Sequence, residues 1–372
     1  MIPQYQPKFN NKDLIAEFSS YFEADGWMTE FHKTEKFENK IKDFLGVKYA
    51  VCVNNGTISL SLALMAHGIK PGDKVIVPSL SMIATANAVK FIGAEPVFVD
   101  IDKHNLCLNL NETINKLHTE DIKGVIYVSL NGRSHSPDQL HEVKCSCEEV
   151  GACFIEDAAQ SFGSKRPLTE DYIGNNEHLT SFSFSMPKII TTGQGGVLVT
   201  NDTAMCEKII RIKDFGRACG GNDVHDYFGI NSKFTDLQAM VGISQMHDIQ
   251  WRVCRKKAIY ELYYHHLKDC LGVFMLSPAD NTTPWFVDIF THYGDTNDRD
   301  ELASYLKEKG IGTRAIYPPM YSQKIYTGKK QNVTDFFCLR GLWLPCSFDL
   351  TNYEIKEICD TIKEYYNGRK TV

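Results

Sequence analysis

Residues 180–200 read TSFSFSMPKIITTGQGGVLVT. The stretch opens as an aromatic, strand-like run, breaks at Met186-Pro187-Lys188, turns through glycines 193, 195 and 196, and ends in a second apolar strand. A lysine held between a strand and a glycine-rich turn, partly withdrawn from water, can form a Schiff base with an aldehyde. Ser183 lies five residues before Lys188 and could contribute a hydroxyl to a phosphate. The glycines would allow close packing around a modified lysine. On composition alone, a solvated loop lysine remains an equal reading.

Outward from this stretch, the chain repeats one pattern. YAVCVNN (49–55), VIVPS (75–79), EPVFVDID (95–102), GVIYVSL (124–130) and the first half of GACFIEDAAQS (151–161) are short apolar runs. Helical pieces such as GTISLSLALMAHG (56–68) and SMIATANAVKFIG (81–93) alternate with them. Apolar strands alternating with helices predict an α/β fold with a mostly parallel sheet covered on both faces. Residues 10–45 read as helical around a break at Asp25-Gly26. Residues 246–270 read as a charged amphipathic helix, PWFVDIFTHY (284–293) as a strand, DRDELASYLKEKG (298–310) as a helix stopped by Gly310, and the end of the chain as one more helix. The expected division is a large domain over 1–245 and a smaller C-terminal α/β domain over 246–372, with the first residues free to pack on either.

Composition narrows the function classes. Across 372 residues, 43% are hydrophobic and 23% charged, an ordinary globular balance, and the net charge of -6 gives no general attraction to nucleic acid or to an anionic membrane. No apolar run approaches the roughly 18 residues that suggest a membrane span. MIPQYQPKF is too polar for a leader, so a cytoplasmic enzyme with reduced thiols is expected despite twelve cysteines. Cys145 and Cys147 form a C-x-C without a second ligand pair, and no metal site is expected. The glycosylation patterns at Asn55-Gly56-Thr57 and Asn281-Thr282-Thr283 are read as chance.

Parallel sheets bind ligands beyond the C-terminal ends of their strands, and two further features fall there. Gly56 and Thr57 stand between a strand and a helix, where free backbone N–H groups favour a phosphate, although Gly-Thr also starts helices that bind nothing. Asp157 closes an apolar strand, and its burial demands a partner. A pyridinium nitrogen would serve; so would a helix cap or a structural ion pair.

Together these residues carry a resemblance. IPQYQP, DGWMTE followed by KFE, NNGTISLSLAL, PGDKVIVPSLSMIATANAVKFIGAEPVFVD, FIEDAAQSFGS, the stretch containing Lys188, GINSKFTDLQAMVGISQM, GIGTRAIYPPM and GLWLPCSFDLT occur in fixed order nearly end to end. In this the chain resembles the nucleotide-sugar aminotransferases of the DegT–DnrJ–StrS family, enzymes of fold type I that use pyridoxal 5'-phosphate. The resemblance implies that Lys188 carries the cofactor and moves protons, and that Asp157 pairs with its ring nitrogen. It places Gln160 at the ring oxygen, and Gly56, Thr57 and Ser183 at the phosphate. Asn231 would reach the phosphate of a neighbouring subunit, which implies a homodimer with shared active sites. Arg314, Trp27 and Tyr317 fall at positions near the substrate, for the two aromatics no more strongly than as packing residues.

Lysine at 188 favours transamination over the dehydration performed by relatives with histidine there. TTPWFVDI with GIGTRAIYPPM resembles the perosamine-synthase-like group, close to viosamine-type enzymes. The implied reaction moves an amine from L-glutamate to C4 of a 4-keto-6-deoxyhexose linked to GDP, UDP or dTDP. A C3 aminotransferase, or a cofactor-binding regulator with reduced catalysis, is the alternative. Four positions depart from the family pattern. Met82 replaces an aromatic ring at the cofactor face, and Gln194 replaces a glutamate. Ser232-Lys233 and Tyr321 are expected to alter substrate contacts.

Overall fold

The computed structural model describes every residue except 25, 177, 220–222, 293–295 and 370–372. Seven strands form the larger sheet: β1 (Tyr49–Val53), β2 (Lys74–Pro78), β3 (Glu95–Val99), β4 (Ile122–Val128), β5 (Cys153–Asp157), β6 (Leu179–Ser183) and β7 (Gly196–Thr200), in the order β1-β7-β6-β5-β4-β2-β3. All neighbouring pairs are parallel except those of β7, which runs antiparallel to both β1 and β6. The fold is therefore α/β with a mostly parallel sheet, as the strand and helix alternation predicts.

Side-chain alternation explains why these strands read as continuous apolar runs. Val51 and Val53, Val75 and Val77, and Ile126 face one way, into a core shared with the helices Gly56–Ala66, Ala84–Phe91 and Thr203–Lys213. Ala50 and Cys52 face the other way with the helices His32–Leu45 and Asp236–Met246. Ile76, Val125 and Tyr127 do the same beside Leu110–Thr119 and Pro137–Glu149. A strand covered on both faces needs apolar residues at every position.

The smaller sheet is antiparallel: β8 (Val273–Phe274), β9 (Val287–Thr291), β10 (Arg314–Ala315) and β11 (Gly341–Leu344), in the order β10-β11-β9-β8. Its core includes Leu80, Val128 and Leu130 from the larger sheet's side, so the two layers share packing. The first residues join this end: Ile2 bridges to Ile311, and Cys346 N–H donates to the carbonyl of Gln4 at 3.0 Å. The N-terminal helical region is two helices, Asn11–Glu23 and His32–Leu45; of the expected break, Asp25 lies outside the described residues, as does Tyr293 at the end of the expected strand. The helix expected over 246–270 spans Ile249–Leu267, and it turns Arg252 and Lys256 inward. All twelve cysteines are free thiols. Among the described residues, no helix is long and apolar enough to cross a membrane, and no cluster of ligating side chains could hold a metal ion.

Candidate active site

Because β1, β5 and β6 all point the same way, their C-terminal ends meet at one edge of the sheet. A cavity of about 440 Å³ opens there, lined by Gly56, Thr57, Met82, Thr85, Asp157, Gln160, Ser183, Lys188, Gln194, Trp285, Arg314 and Tyr317 among others.

The phosphate end is built by close backbone approach. Asn55 caps the helix Gly56–Ala66, its side chain accepting from Ile58 N–H at 2.9 Å. The first backbone N–H groups of that helix have no acceptor within it, so the turn is a ready anion site. A Cβ on Gly56 would lie 2.9 Å from Cβ of Ser183, and one on Gly196 would lie 2.7 Å from the Asn55 carbonyl group. These contacts force glycine at both positions and bring Thr57 and Ser183 to the same wall. Gly196 thus packs against the 55–56 turn.

Asp157 ends β5 and is buried. Thr85 donates to its Oδ2 at 2.7 Å and the Ala159 N–H to its Oδ1 at 3.1 Å. Burial raises its pKa, while these two donors and Lys188 draw it down. Lys188 sits in the loop between β6 and β7, on the cavity wall. Its Nζ lies 4.1 Å from the centroid of the Trp285 ring and forms no hydrogen bond or ion pair with any described residue. Burial lowers its pKa to about 8, with Asp157 acting upward and Arg314 downward. The loop is tied down through its carbonyls: Trp285 Nε1 donates to Pro187 at 2.6 Å, and the Tyr5 hydroxyl to Lys188 at 3.2 Å.

Gln160 is buried on the adjacent wall, its Oε1 accepting from Asn131 N–H at 2.8 Å. Arg314 stands exposed at the cavity mouth, 5.8 Å from the Tyr317 ring and 5.4 Å from the Trp343 ring, with no carboxylate partner among the described residues. Burial raises the Tyr317 phenol above its usual range. Met82 lines the cavity with its sulfur drawn onto the Ala84 N–H at 3.0 Å.

Two expected residues are not brought to this cavity by their own chain. Asn231 is exposed outside it, accepting only a long 3.5 Å contact from Lys233 N–H. Trp27 is 63% exposed and is bonded locally to Thr29, so the expectation of a substrate-pocket residue is not met within one chain. Tyr321 is also elsewhere: it is buried and bonded to Asp335, closing the loop that precedes residues 332–340, and it does not line this cavity. Lys233 pairs with Asp214 at 2.8 Å. Conversely, Thr85, Trp285 and Tyr5 support the site without having been singled out. Each stands far along the chain from the residue it touches, and no local pattern marks it.

The residues present fit pyridoxal phosphate. A buried carboxylate, an amine with no bonded anionic partner among the described residues and a glycine-cleared helix N-terminus line one cavity, matching a ring nitrogen, an aldehyde and a phosphate. The comparisons agree. Residues 10–363 match the DegT/DnrJ/EryC1/StrS aminotransferase family. The chain is 33% identical to a GDP-perosamine synthase of Escherichia coli O157:H7 over 99% of both chains, and 29% identical to one of Vibrio cholerae over 99% of this chain and 100% of the other. Among solved structures it resembles S. venezuelae DesV, described in complex with a ketimine intermediate, at a TM-score of 0.89, 27% identity and 98% coverage of both chains. A lysine and a carboxylate facing one cavity, on this fold and within these matches, mean that the chain belongs to the DegT/DnrJ/EryC1/StrS aminotransferase family and is a pyridoxal phosphate-dependent transaminase.

Proposed function

We propose that this enzyme transfers an amine from L-glutamate to C4 of a nucleotide-linked 4-keto-6-deoxyhexose, giving a 4-amino-4,6-dideoxy sugar of the perosamine or viosamine type. The observation that carries the reading is the end-to-end likeness to GDP-perosamine synthases of a chain whose Lys188 and Asp157 line one cavity. GDP is accordingly the nucleotide we put first, ahead of UDP and dTDP.

Gly56, Thr57 and Ser183 would hold the cofactor phosphate, Gln160 the ring oxygen and Asp157 the ring nitrogen. When bound, pyridoxal phosphate supplies a carbonyl carbon that takes up the amine and a ring that accepts the electron pair of the broken C–H bond. Lys188 Nζ would hold the cofactor and, once displaced by glutamate, would take the proton from Cα and deliver it to the cofactor carbon that carries the amine. In the second half-reaction the same Nζ would take a proton from that carbon and give it to C4 of the sugar. A pKa near 8 leaves part of Lys188 unprotonated at neutral pH, as a general base requires. Asp157 would keep its charge beside a protonated ring nitrogen, which would offset the cost of burying it. Arg314, unpaired at the mouth, is suited to the carboxylate of the donor or to a substrate phosphate. Met82, which lines the cavity, would cover the cofactor face with a flexible apolar chain in place of a ring. We further propose that two copies share their sites, Asn231 reaching the partner's phosphate; its exposure outside its own cavity supports this.

Incubation of the holoenzyme with glutamate and GDP-, dTDP- and UDP-linked 4-keto-6-deoxy sugars tests the reading. A C4 amine formed with the GDP sugar is expected. Amination at C3 would replace it with the C3 reading, and a yellow protein unable to react with glutamate would make it a cofactor-binding regulator.

A further inference from the structure

Behind Gln160 lies a buried polar cluster that the proposed reaction does not use. Asn131 follows β4 in the left-handed region, at φ 54°, a conformation unfavourable for a residue with a side chain unless its surroundings hold it. The surroundings here are specific. The Asn131 N–H donates to Gln160 Oε1 at 2.8 Å. Its side-chain amide donates to the Phe286 carbonyl and to Asp288 Oδ2, both at 3.0 Å, and its Oδ1 accepts from Phe286 N–H at 2.8 Å. The side chain thus pairs with the backbone of residue 286 as a neighbouring strand would.

Asp288, in β9, is fixed in turn. Arg133 Nη1 and Nη2 donate to its two carboxylate oxygens at 2.7 Å each, and the Tyr260 hydroxyl lies 3.3 Å from Oδ1. Arg133, Asn131 and Asp288 are all at least nine-tenths buried. Such a network is rigid when every member is satisfied, because each lost bond would leave a desolvated group unpaired.

Its two outputs both face the cofactor cavity. One is Gln160: with Oε1 engaged by Asn131, the amide Nε2 is the end left for the cavity. The other is Trp285, the residue before the backbone that Asn131 grips, whose ring lies over Lys188 Nζ. Asn131 is not among the residues lining the cavity.

We infer that Asn131, braced by Asp288 and Arg133, is a positioning residue that orients Gln160 and Trp285 against the cofactor. The inference rests on the reading of Gln160 as a contact of the cofactor. Through Asn131 the smaller sheet sets the geometry of a site built on the larger one.

The test uses purified holoenzyme and two signals that do not depend on turnover: the circular dichroism of the visible cofactor band, which reports how the bound ring is held, and the Kd for pyridoxal phosphate. Asn131→Gly keeps the left-handed backbone and its N–H but removes the staple; Asn131→Ala is the second variant. Gln160→Ala reports the contact itself. All three are expected to reduce the band at least twofold, and Kd to rise about tenfold for the loss of one or two hydrogen bonds. The Asn131→Gly, Gln160→Ala double variant is expected to fall short of the sum of the two single effects, because both act on the Gln160 contact, and to exceed Gln160→Ala only by the share that Asn131 exerts through Trp285. A Gln160→Ala enzyme with an unchanged band and Kd would refute the reading of Gln160. If Gln160→Ala moves the signals while Asn131→Gly only lowers the urea midpoint, or if the two effects add in full, the positioning role is overturned.

Discussion

Lys188 should weaken the protein that carries it, by an amount the structure sets. Before cofactor is bound, its ammonium stands on the cavity wall against an aromatic face, with no anionic partner within bonding distance among the described residues. Its pKa falls from 10.5 to about 8. A depressed lysine pKa means that the unfolded chain binds the proton more tightly, so the group opposes folding wherever the unfolded chain is protonated. The penalty is largest below pH 8, shrinks as pH rises from 8 to 10.5, and vanishes above. At pH 7 it amounts to about 3 kcal/mol, and at pH 9 to about 2 kcal/mol. Lys188→Met removes the charge and keeps an unbranched chain over Trp285. The apo variant is therefore expected to be more stable than apo wild type by up to about 3 kcal/mol at neutral pH, about 4 °C in Tm for a chain of this length. Urea unfolding of both cofactor-free proteins, at one protein concentration and at pH 7 and 9, measures the gap. A variant no more stable than wild type at pH 7, or a gap that stays constant between the two pH values, would show that burial does not strain Lys188 and that its readiness as a base has another origin.

Asp157→Asn keeps the hydrogen bond from Thr85 but loses the charge, and the glutamate half-reaction should slow by about a hundredfold or more in single-turnover spectra; a change below threefold would remove Asp157 from the mechanism. Gly56→Ala puts a methyl 2.9 Å from Ser183 Cβ, so affinity for pyridoxal phosphate and for inorganic phosphate should drop together, by about tenfold, in equilibrium titrations; unchanged affinity for both would place the phosphate elsewhere. Beneath the site, Glu156 is fully buried; burial pushes its carboxyl up, but Arg166 and His178 hold it down at about 2. Burial lowers the His178 pKa while Glu156, 3.0 Å away, draws it up, and Arg166 is the first charge partner of the carboxylate. The folded pKa is depressed, so this contribution is complete above pH 4.5 and is lost as pH falls from there to 2. Arg166→Met should cost about 3–5 kcal/mol at neutral pH by leaving Glu156 unpaired, and calorimetry at pH 7 and 3 should show that cost shrinking in acid.

The amino-acid sequence by itself determined the α/β class and marked Lys188 and Asp157 as candidates, which the family resemblance then singled out. Strands buried on both faces are written as continuous apolar runs, and a strand end, a helix cap and a glycine turn are local events. Lys188, Asp157 and the Gly56-Thr57 turn are each legible because their immediate neighbours set their backbone. What only the tertiary structure decided lies between distant segments. The antiparallel course of β7 depends on where residues 184–195 fold back, and that in turn places Lys188 opposite Trp285. Thr85 meets Asp157 across 72 residues, and Asn131 grips Phe286 across 155. Lys256 looks like one more charge on an amphipathic helix, yet it is buried, donating to the carbonyls of Trp285 and Cys346 at 3.0 and 2.8 Å. Tyr321 and Trp27, chosen for their place in a motif, fall outside the cavity, while Met82 stays in it. Motifs mark which residues approach the site, because strand ends gather at one edge of a parallel sheet. Which side chains finally touch depends on sheet order and on how the smaller sheet packs, and those contacts join segments too far apart in the chain for any local pattern to record them.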